Sequence, residues 1–348
     1  MSESRWLELT DLCGKIGFST SIFSNSLLLF LICGPKTTNR QIGSYRNLLI
    51  FFSIFTVFYS CVEILLRPLI HIYDDTLFLI QRKRFESWGK LATRLVPTTY
   101  CGCYAMSFTI FALQFTHRFI ATCKPHSLHY FDGKWFFVWI FAAFSIACSW
   151  AAAAFFLFPQ TARTFESFKF VMNHNYGINE SLADYVPYKY FYYDELAVKK
   201  PDIKNMLGVC QHLLVILFSY TILFYCGTRT YLELQKFRGI STKTRDLQLQ
   251  LFRALVVQTT FPMIFMYFPT GFMFACPFFG LELGATTNYQ TIVAQLYPGI
   301  DPLILIFLID GYRNTIKNWI FCRRNASREN SSYHEKSRRI SPSEATNF

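Results

Sequence analysis

The chain has 348 residues, of which 52% are hydrophobic and 39 are Phe, and it carries a formal net charge of +12. Five long stretches (16–33, 95–117, 135–162, 205–228 and 254–281) contain no Asp, Glu, Lys or Arg, and each can cross a hydrocarbon core of roughly 30 Å, which takes about 20 helical residues. This excludes a soluble fold, so the positive charge reads as attraction to anionic lipid and cytosolic partners, not as a nucleic-acid surface.

Two more stretches qualify despite internal charges. Residues 47–70 hold Glu63 and Arg67, and 283–309 hold Asp301. Backbone groups in lipid must satisfy each other, so the spans are expected as helices. The expected fold is an all-α membrane protein, a seven-transmembrane helix bundle. Its domain runs over 12–309, with spans at about 12–34, 47–70, 95–117, 135–158, 205–228, 254–276 and 288–309. Loops that fall on one side, with the tail, carry 20 Lys+Arg against 7 acids; those on the other carry 12 against 13. The basic side is expected in the cytosol, which puts residues 1–11 outside and the C-terminus inside. The start lacks a basic region followed by a small-residue cleavage site, so the first span is expected as an uncleaved anchor. No internal repeat or inverted half-to-half similarity is present.

In the first span, Asn25 lies between Ser24 and Ser26 and needs a hydrogen-bond partner on another helix. In the second, Glu63 and Arg67 are four residues apart and can pair on one face before Pro68 ends or bends the helix; a structural pair and a ligand contact are both open. The third span ends at His117-Arg118-Phe119. Arg118 either snorkels to lipid phosphate or holds neighbouring helices closed until activation. The fourth has a small-residue face, 151–154, beside Trp150. The long loop after it carries Asn179-Glu180-Ser181, an N-glycosylation acceptor on the outer side.

The loop between spans five and six carries Arg238, Lys243, Arg245 and Arg253 among six basic residues, against two acids. It enforces topology or docks a cytosolic protein, and leucines at 232, 247, 249 and 251 suggest that both helices continue into the cytosol. Span six contains Pro262, Pro269 and Pro277 and is expected to be kinked. Span seven contains Tyr297-Pro298-Gly299-Ile300-Asp301-Pro302; Asp301 needs a donor, and Asn25 is the candidate. Residues 310–323 read as an amphipathic helix on the inner leaflet, with Cys322 a palmitoylation site. The tail, 324–348, is expected to be disordered, with Ser327 and Ser341 each preceded by two Arg as basophilic kinases prefer. The 11 Cys are scattered. Cys101, Cys103, Cys210 and Cys276 are outer-side candidates for a bond, and the long outer loop has none.

A small ligand is expected in the outer half, near Tyr104, Ser107 and Phe108 of span three and Phe265, Phe268 and Met273 of span six. Asn25, Arg118, Asp301 and Pro302 form the expected switch, and Arg118, Arg238, Lys243, Arg245 and Arg253 the coupling surface. No catalytic constellation, metal-ligand cluster or cofactor motif appears.

Several blocks resemble nematode seven-transmembrane chemoreceptors of the Str class, relatives of the diacetyl odorant receptor. They are Ile42-Gly43-Ser44-Tyr45; Tyr59-Ser60 with Glu63 and Arg67-Pro68; Tyr100-Cys101-Gly102; His117-Arg118-Phe119; 251–260; Met266-Tyr267-Phe268-Pro269; Pro277-Phe278-Phe279-Gly280; and 297–302 through Tyr312-Arg313. The match runs from about residue 12 to 320. His117 departs from the family's aromatic-Arg-aromatic element, and Asp301-Pro302 stands where other seven-helix receptors have Asn-Pro. The resemblance implies a G-protein-coupled chemosensory receptor in sensory-neuron cilia that detects a small, often volatile odorant and signals to a heterotrimeric G protein. The alternative is a ligand-gated channel or transporter subunit, which would want polar residues recurring along one helix face. Glu63, Arg67, Asp301 and Lys15 line no such path.

Overall fold

The computed structural model describes residues 3–34, 45–82, 89–194, 196, 198–236 and 242–319. Seven helices cross the bundle: span 1, Glu3–Cys33; span 2, Tyr45–Leu66; span 3, Gly89–Cys123; span 4, Lys134–Phe156; span 5, Ile203–Lys236; span 6, from Thr242 to Ala275; and span 7, Asn288–Leu308. Six of them are long and apolar enough to enter lipid by composition. Span 3 is not among the six, although its helix is 35 residues long. Almost every side chain from Tyr100 to Phe115 is buried by protein, so this helix faces its neighbours, not lipid, and tolerates Thr, Ser, Cys and Gln.

Spans 1 and 7 pack most closely. A Cβ built on Gly17 would lie 2.0 Å from the Gln295 carbonyl oxygen, and one on Gly299 would lie 2.2 Å from Thr20 Oγ1. Without those hydrogens-only side chains the two backbones could not meet. The contact also resolves a backbone problem. Pro302 has no N–H to give to the carbonyl of residue 298. Asn25 Nδ2 takes that carbonyl at 3.1 Å, and its own turn's Ser21 oxygen at 2.9 Å. Ser60 Oγ of span 2 donates to Ser21 Oγ at 2.7 Å, which joins a third helix to the pair.

Span 6 handles its prolines in the same way. Pro262 leaves the Gln258 carbonyl without its helical donor, and the Tyr297 hydroxyl, whose one hydrogen is shared with Asp301, stands 3.1 Å from it. After Pro262 the helix widens into a π-turn, Met263–Tyr267, before Phe268–Ala275 resumes α geometry. Such turns accompany proline kinks. Below span 7 the chain bends at Ile309 and helix 310–319 follows; Trp319 packs edge-on against Phe30 at 5.0 Å. The part of the expected amphipathic helix beyond 319 lies outside the described residues.

Two expectations are corrected at the outer end. Span 2 stops at Leu66, short of 70, because Arg67 adopts a left-handed backbone (φ 50°) and Pro68 follows. The turn carries Arg67 away from Glu63, and its guanidinium reaches Asp11 of span 1 at 3.4 Å. The expected Glu63–Arg67 pair does not form. The outer loops also fold into strands, which the helical reading did not foresee. β1 (Pro68–Tyr73), β2 (Thr76–Gln81) and β3 (Asp184–Lys189) make an antiparallel sheet in the order β1-β2-β3. β4 (Phe191–Tyr193) and β5 (Lys199–Pro201) form a separate hairpin.

The three-stranded sheet lies over the bundle as a lid. Buried Asp75, in the β1–β2 turn, meets Lys189 Nζ at 2.6 Å and Lys199 Nζ at 3.7 Å. On the other edge, Asn288 Oδ1 accepts the Ile70 N–H at 3.0 Å while its Nδ2 donates to Tyr176 Oη at 2.9 Å. That leaves the tyrosine O–H for His71 Nδ1, 3.0 Å away. His71 therefore sits in the lid as a buried neutral acceptor.

Replacing Gly17 with Val should force spans 1 and 7 apart, lowering the thermal midpoint by the equivalent of about 1–3 kcal/mol. Gly271→Ala, where a Cβ meets nothing within 4 Å, should leave it unchanged or raised. Both are readable by thermal melting of the purified protein. A second expectation concerns acid. Burial depresses the His71 pKa to about 4, below the ~6.5 of a free imidazole. The lid thus keeps its full stability above about pH 6.5 and loses it as pH falls toward 4, by up to a few kcal/mol. Hydrogen exchange of the β1–β2 amides, corrected for intrinsic rate, should show this loss, and His71→Phe should flatten it.

Candidate functional site

Beneath the lid lies a cavity with a water-accessible volume of about 60 Å³, several times the roughly 10–15 Å³ that one water needs. Its walls follow from helical and strand periodicity. Tyr100 and Tyr104 of span 3 are one turn apart, as are Thr270 and Phe274 of span 6 and Gln290 and Ala294 of span 7; Leu77 and Leu79 share one face of β2. Ile70 and Tyr188 complete the roof, and Cys101, Trp150 and Met273 the sides. The lining is mostly apolar and aromatic.

One polar cluster forms the floor. Gln290 Nε2, with two hydrogens to give, lies 2.7 Å from the Met266 carbonyl, 2.9 Å from Thr270 Oγ1 and 3.0 Å from Tyr104 Oη. Thr270 Oγ1 also donates to the Met266 carbonyl, at 2.8 Å. Spans 3, 6 and 7 thus converge on a single backbone oxygen at the π-turn. Among the described residues Gln290 Oε1 is buried without a hydrogen-bond partner. At the roof, Cys101 Sγ and Tyr188 Oη approach to 3.5 Å. Among the described residues the ten cysteines are free, so this contact and the β2–β3 pairing hold the long outer loop over span 3.

The structure places Tyr104 and Met273 in the cavity wall. Ser107 and Phe108 lie one layer below the floor: Tyr267 Oη donates to Ser107 Oγ at 3.1 Å, and the Phe108 ring stands 4.1 Å from that of Tyr267. Phe265 and Phe268 are corrected. They are 37% and 73% exposed, because the inward face of span 6 runs through Met266, Tyr267, Thr270, Met273 and Phe274. Aromatic character did not discriminate, since Phe suits lipid as well as a binding wall. Gln290, a polar residue in the outer part of span 7, was the available signal for the floor. Tyr188 gave none, because its place depends on strand pairing across more than a hundred residues.

Deeper in the bundle, Asp301 Oδ1 accepts from Tyr297 Oη at 2.6 Å and Oδ2 from Gln258 Nε2 at 2.9 Å. The expected Asn25–Asp301 pair is absent, because Asn25 is spent on the carbonyl that Pro302 frees. At the inner end Arg118 is buried, 2% exposed, and not at the lipid boundary. Its guanidinium lies 3.7 Å over the Tyr45 ring, and Nη1 donates to Gln248 Oε1 of span 6 at 2.9 Å. Among the described residues its Nε and Nη2 meet no acceptor other than Tyr45, and no carboxylate pairs with it. Arg253 is exposed. Lys243 and Arg245 belong to the helix that begins span 6, while Arg238, Cys322, Ser327 and Ser341 lie outside the described residues. Asn179 is exposed and caps a short turn through Oδ1, which accepts from Ser181 N at 2.9 Å.

Known proteins with this sequence pattern are receptors. Residues 10–317 match the model of the serpentine type 7TM GPCR chemoreceptor Str family. Serpentine receptor class r-10 of Caenorhabditis briggsae is 40% identical over 93% of this chain and 94% of its own length. The protein of the same name in Caenorhabditis elegans is 38% identical over 95% and 97%. The G-protein coupled receptor str-33 of C. elegans is 24% identical over 88% and 89%. Among solved structures, squid rhodopsin superposes with a TM-score of 0.59 at 13% identity, covering 91% of this chain and 86% of its own, which establishes the seven-helix fold. With a matched model over nearly its whole length and 40% identical relatives, the chain belongs to the Str family of serpentine seven-transmembrane chemoreceptors.

Proposed function

We propose that the chain is an olfactory receptor in the plasma membrane of sensory-neuron cilia. It would detect a small, volatile, largely apolar molecule in the lidded cavity and signal to a heterotrimeric G protein. The observation that carries this reading is the cavity: small, mostly apolar, and floored by polar groups from three spans. Ligand sites are usually pockets with a few placed polar groups on apolar walls, and a volume of about 60 Å³ admits only a few heavy atoms. A ligand bound there touches spans 3, 6 and 7 at once, so it can favour one helix arrangement over another, as activation requires.

The membrane orientation supports the reading, with Asn179 outside and the basic surface of Arg238, Lys243, Arg245 and Arg253 inside. Arg118 is held at the inner end by Tyr45 and by Gln248 of span 6, so a shift of span 6 would release its guanidinium toward an acidic partner. The channel alternative finds less support. Glu63, Arg118 and Asp301 occupy three separate places among buried side chains.

Three measurements test the proposal. In a calcium assay in a heterologous sensory neuron, screened with small volatiles, Tyr104→Phe or Gln290→Leu should weaken agonist potency about tenfold, the worth of one hydrogen bond. Ala294→Leu should remove responses to larger agonists first. Unaltered dose–response curves would discard the cavity as the site, and ligand-evoked current in cells without G proteins would favour the channel. Arg118→Ala should lower signalling several-fold with ligand binding intact; parallel loss of both would mean misfolding. Asn179→Gln should abolish a glycosidase-sensitive mass shift. A shift that persisted through the sequons at Asn325 or Asn330 would place the tail outside.

A further inference from the structure

A second, larger groove lies in the inner half of the bundle, between spans 5 and 6. Its volume is about 360 Å³. Phe115, Leu223, Phe252 and Thr259 form its buried floor; Phe224, Tyr231, Val256 and Thr260 form an exposed rim. The two helices leave this space because their main packing lies elsewhere, span 5 against span 3 and span 6 against span 7. The groove's upper end is Met263, where span 6 leaves α geometry for its π-turn. The floor owes its depth to Gly227: a Cβ there would come within 3.0 Å of the Phe115 ring.

We propose that this groove binds one acyl chain of an anionic inner-leaflet phospholipid, whose headgroup rests on Arg229 and Arg253 at the cytosolic ends of its two walls. Two observations select that occupant. The rim opens sideways at hydrocarbon depth, where lipid is the solvent, and an apolar gap of this size left empty would forfeit its dispersion contacts. The cytosolic ends of its two walls are joined by a segment, 227–253, with six Lys+Arg against two acids. Within it Arg229 and Arg253 are exposed, and among the described residues neither is in an ion pair. Basic residues next to the membrane attract anionic headgroups strongly enough to favour them about fivefold per contact. An acyl chain seated there wedges spans 5 and 6 at a fixed separation, so membrane composition sets how far span 6 can approach span 5.

The test uses the full chain, purified into phosphatidylcholine nanodiscs that contain phosphatidylserine or phosphatidylcholine with a diazirine midway along one acyl chain. Cross-links are mapped by peptide mass spectrometry. Photoreactive phosphatidylserine should label the segments around Tyr231 and 256–263 about fivefold more than photoreactive phosphatidylcholine does. Labelling of the outward face of span 4, at Phe137 and Phe141, should not distinguish the two lipids. Thr260→Trp, a change at the exposed rim, should suppress groove labelling and spare span 4; Arg229→Gln with Arg253→Gln should remove the preference. Equal labelling by both lipids, or labelling that survives Thr260→Trp, overturns the proposal. Labelling by neither leaves the groove to a protein helix entering from the cytosol and overturns it too.

Discussion

Much of this bundle follows from where its prolines leave carbonyl oxygens without a donor. A buried carbonyl far from water costs several kcal/mol if it stays unpaired. The Pro298 oxygen takes Asn25 of span 1, and the Gln258 oxygen takes Tyr297 of span 7. At the π-turn, the Met266 oxygen, which no proline frees, takes Gln290 of span 7 and Thr270 of its own helix. Both proline repairs recruit a side chain from another span. The prolines therefore act as stitches: they bend spans 6 and 7 and, by the same act, dictate which helices must stand beside the bend. The polar floor of the cavity forms on the π-turn oxygen just beyond one of these bends.

The lid solves a different problem. The long outer loop has no cysteine with which to anchor itself to span 3. Its hold comes instead from six residues of strand paired in register with β2, from the Asp75–Lys189 ion pair beneath that strand's far end, and from Tyr188 against Cys101. These are individually modest and reversible. A lid held in this manner can open in steps, edge by edge, in a way that a covalent staple does not permit.

The span count and orientation were legible because charge and length obey the bilayer alone. Local geometry in the spans was partly legible: Tyr104 and Met273 could be placed by depth and character. Three kinds of feature were not. Phe265 and Phe268 were misplaced because a π-turn changes which face a helix shows, and no residue type marks that turn. Asn25 and Asp301 were paired by depth, but depth ignores the carbonyls, which claim donors first. Glu63 and Arg67 were paired by spacing, which holds only while the helix continues. The lid strands depend on contacts between distant segments, beyond the reach of any periodicity.

Span 3 has one more consequence, for biogenesis. A helix that owes its place to neighbouring helices gains little from entering hydrocarbon alone. It is synthesised before spans 4, 5, 6 and 7, which provide most of its cover. On leaving the ribosome, its Thr, Gln and Cys side chains have no partners, and its free energy of insertion is poor. The nascent chain must therefore be held by the insertion machinery until later helices arrive, so the helix at the centre of the finished receptor is the last to become secure in the membrane.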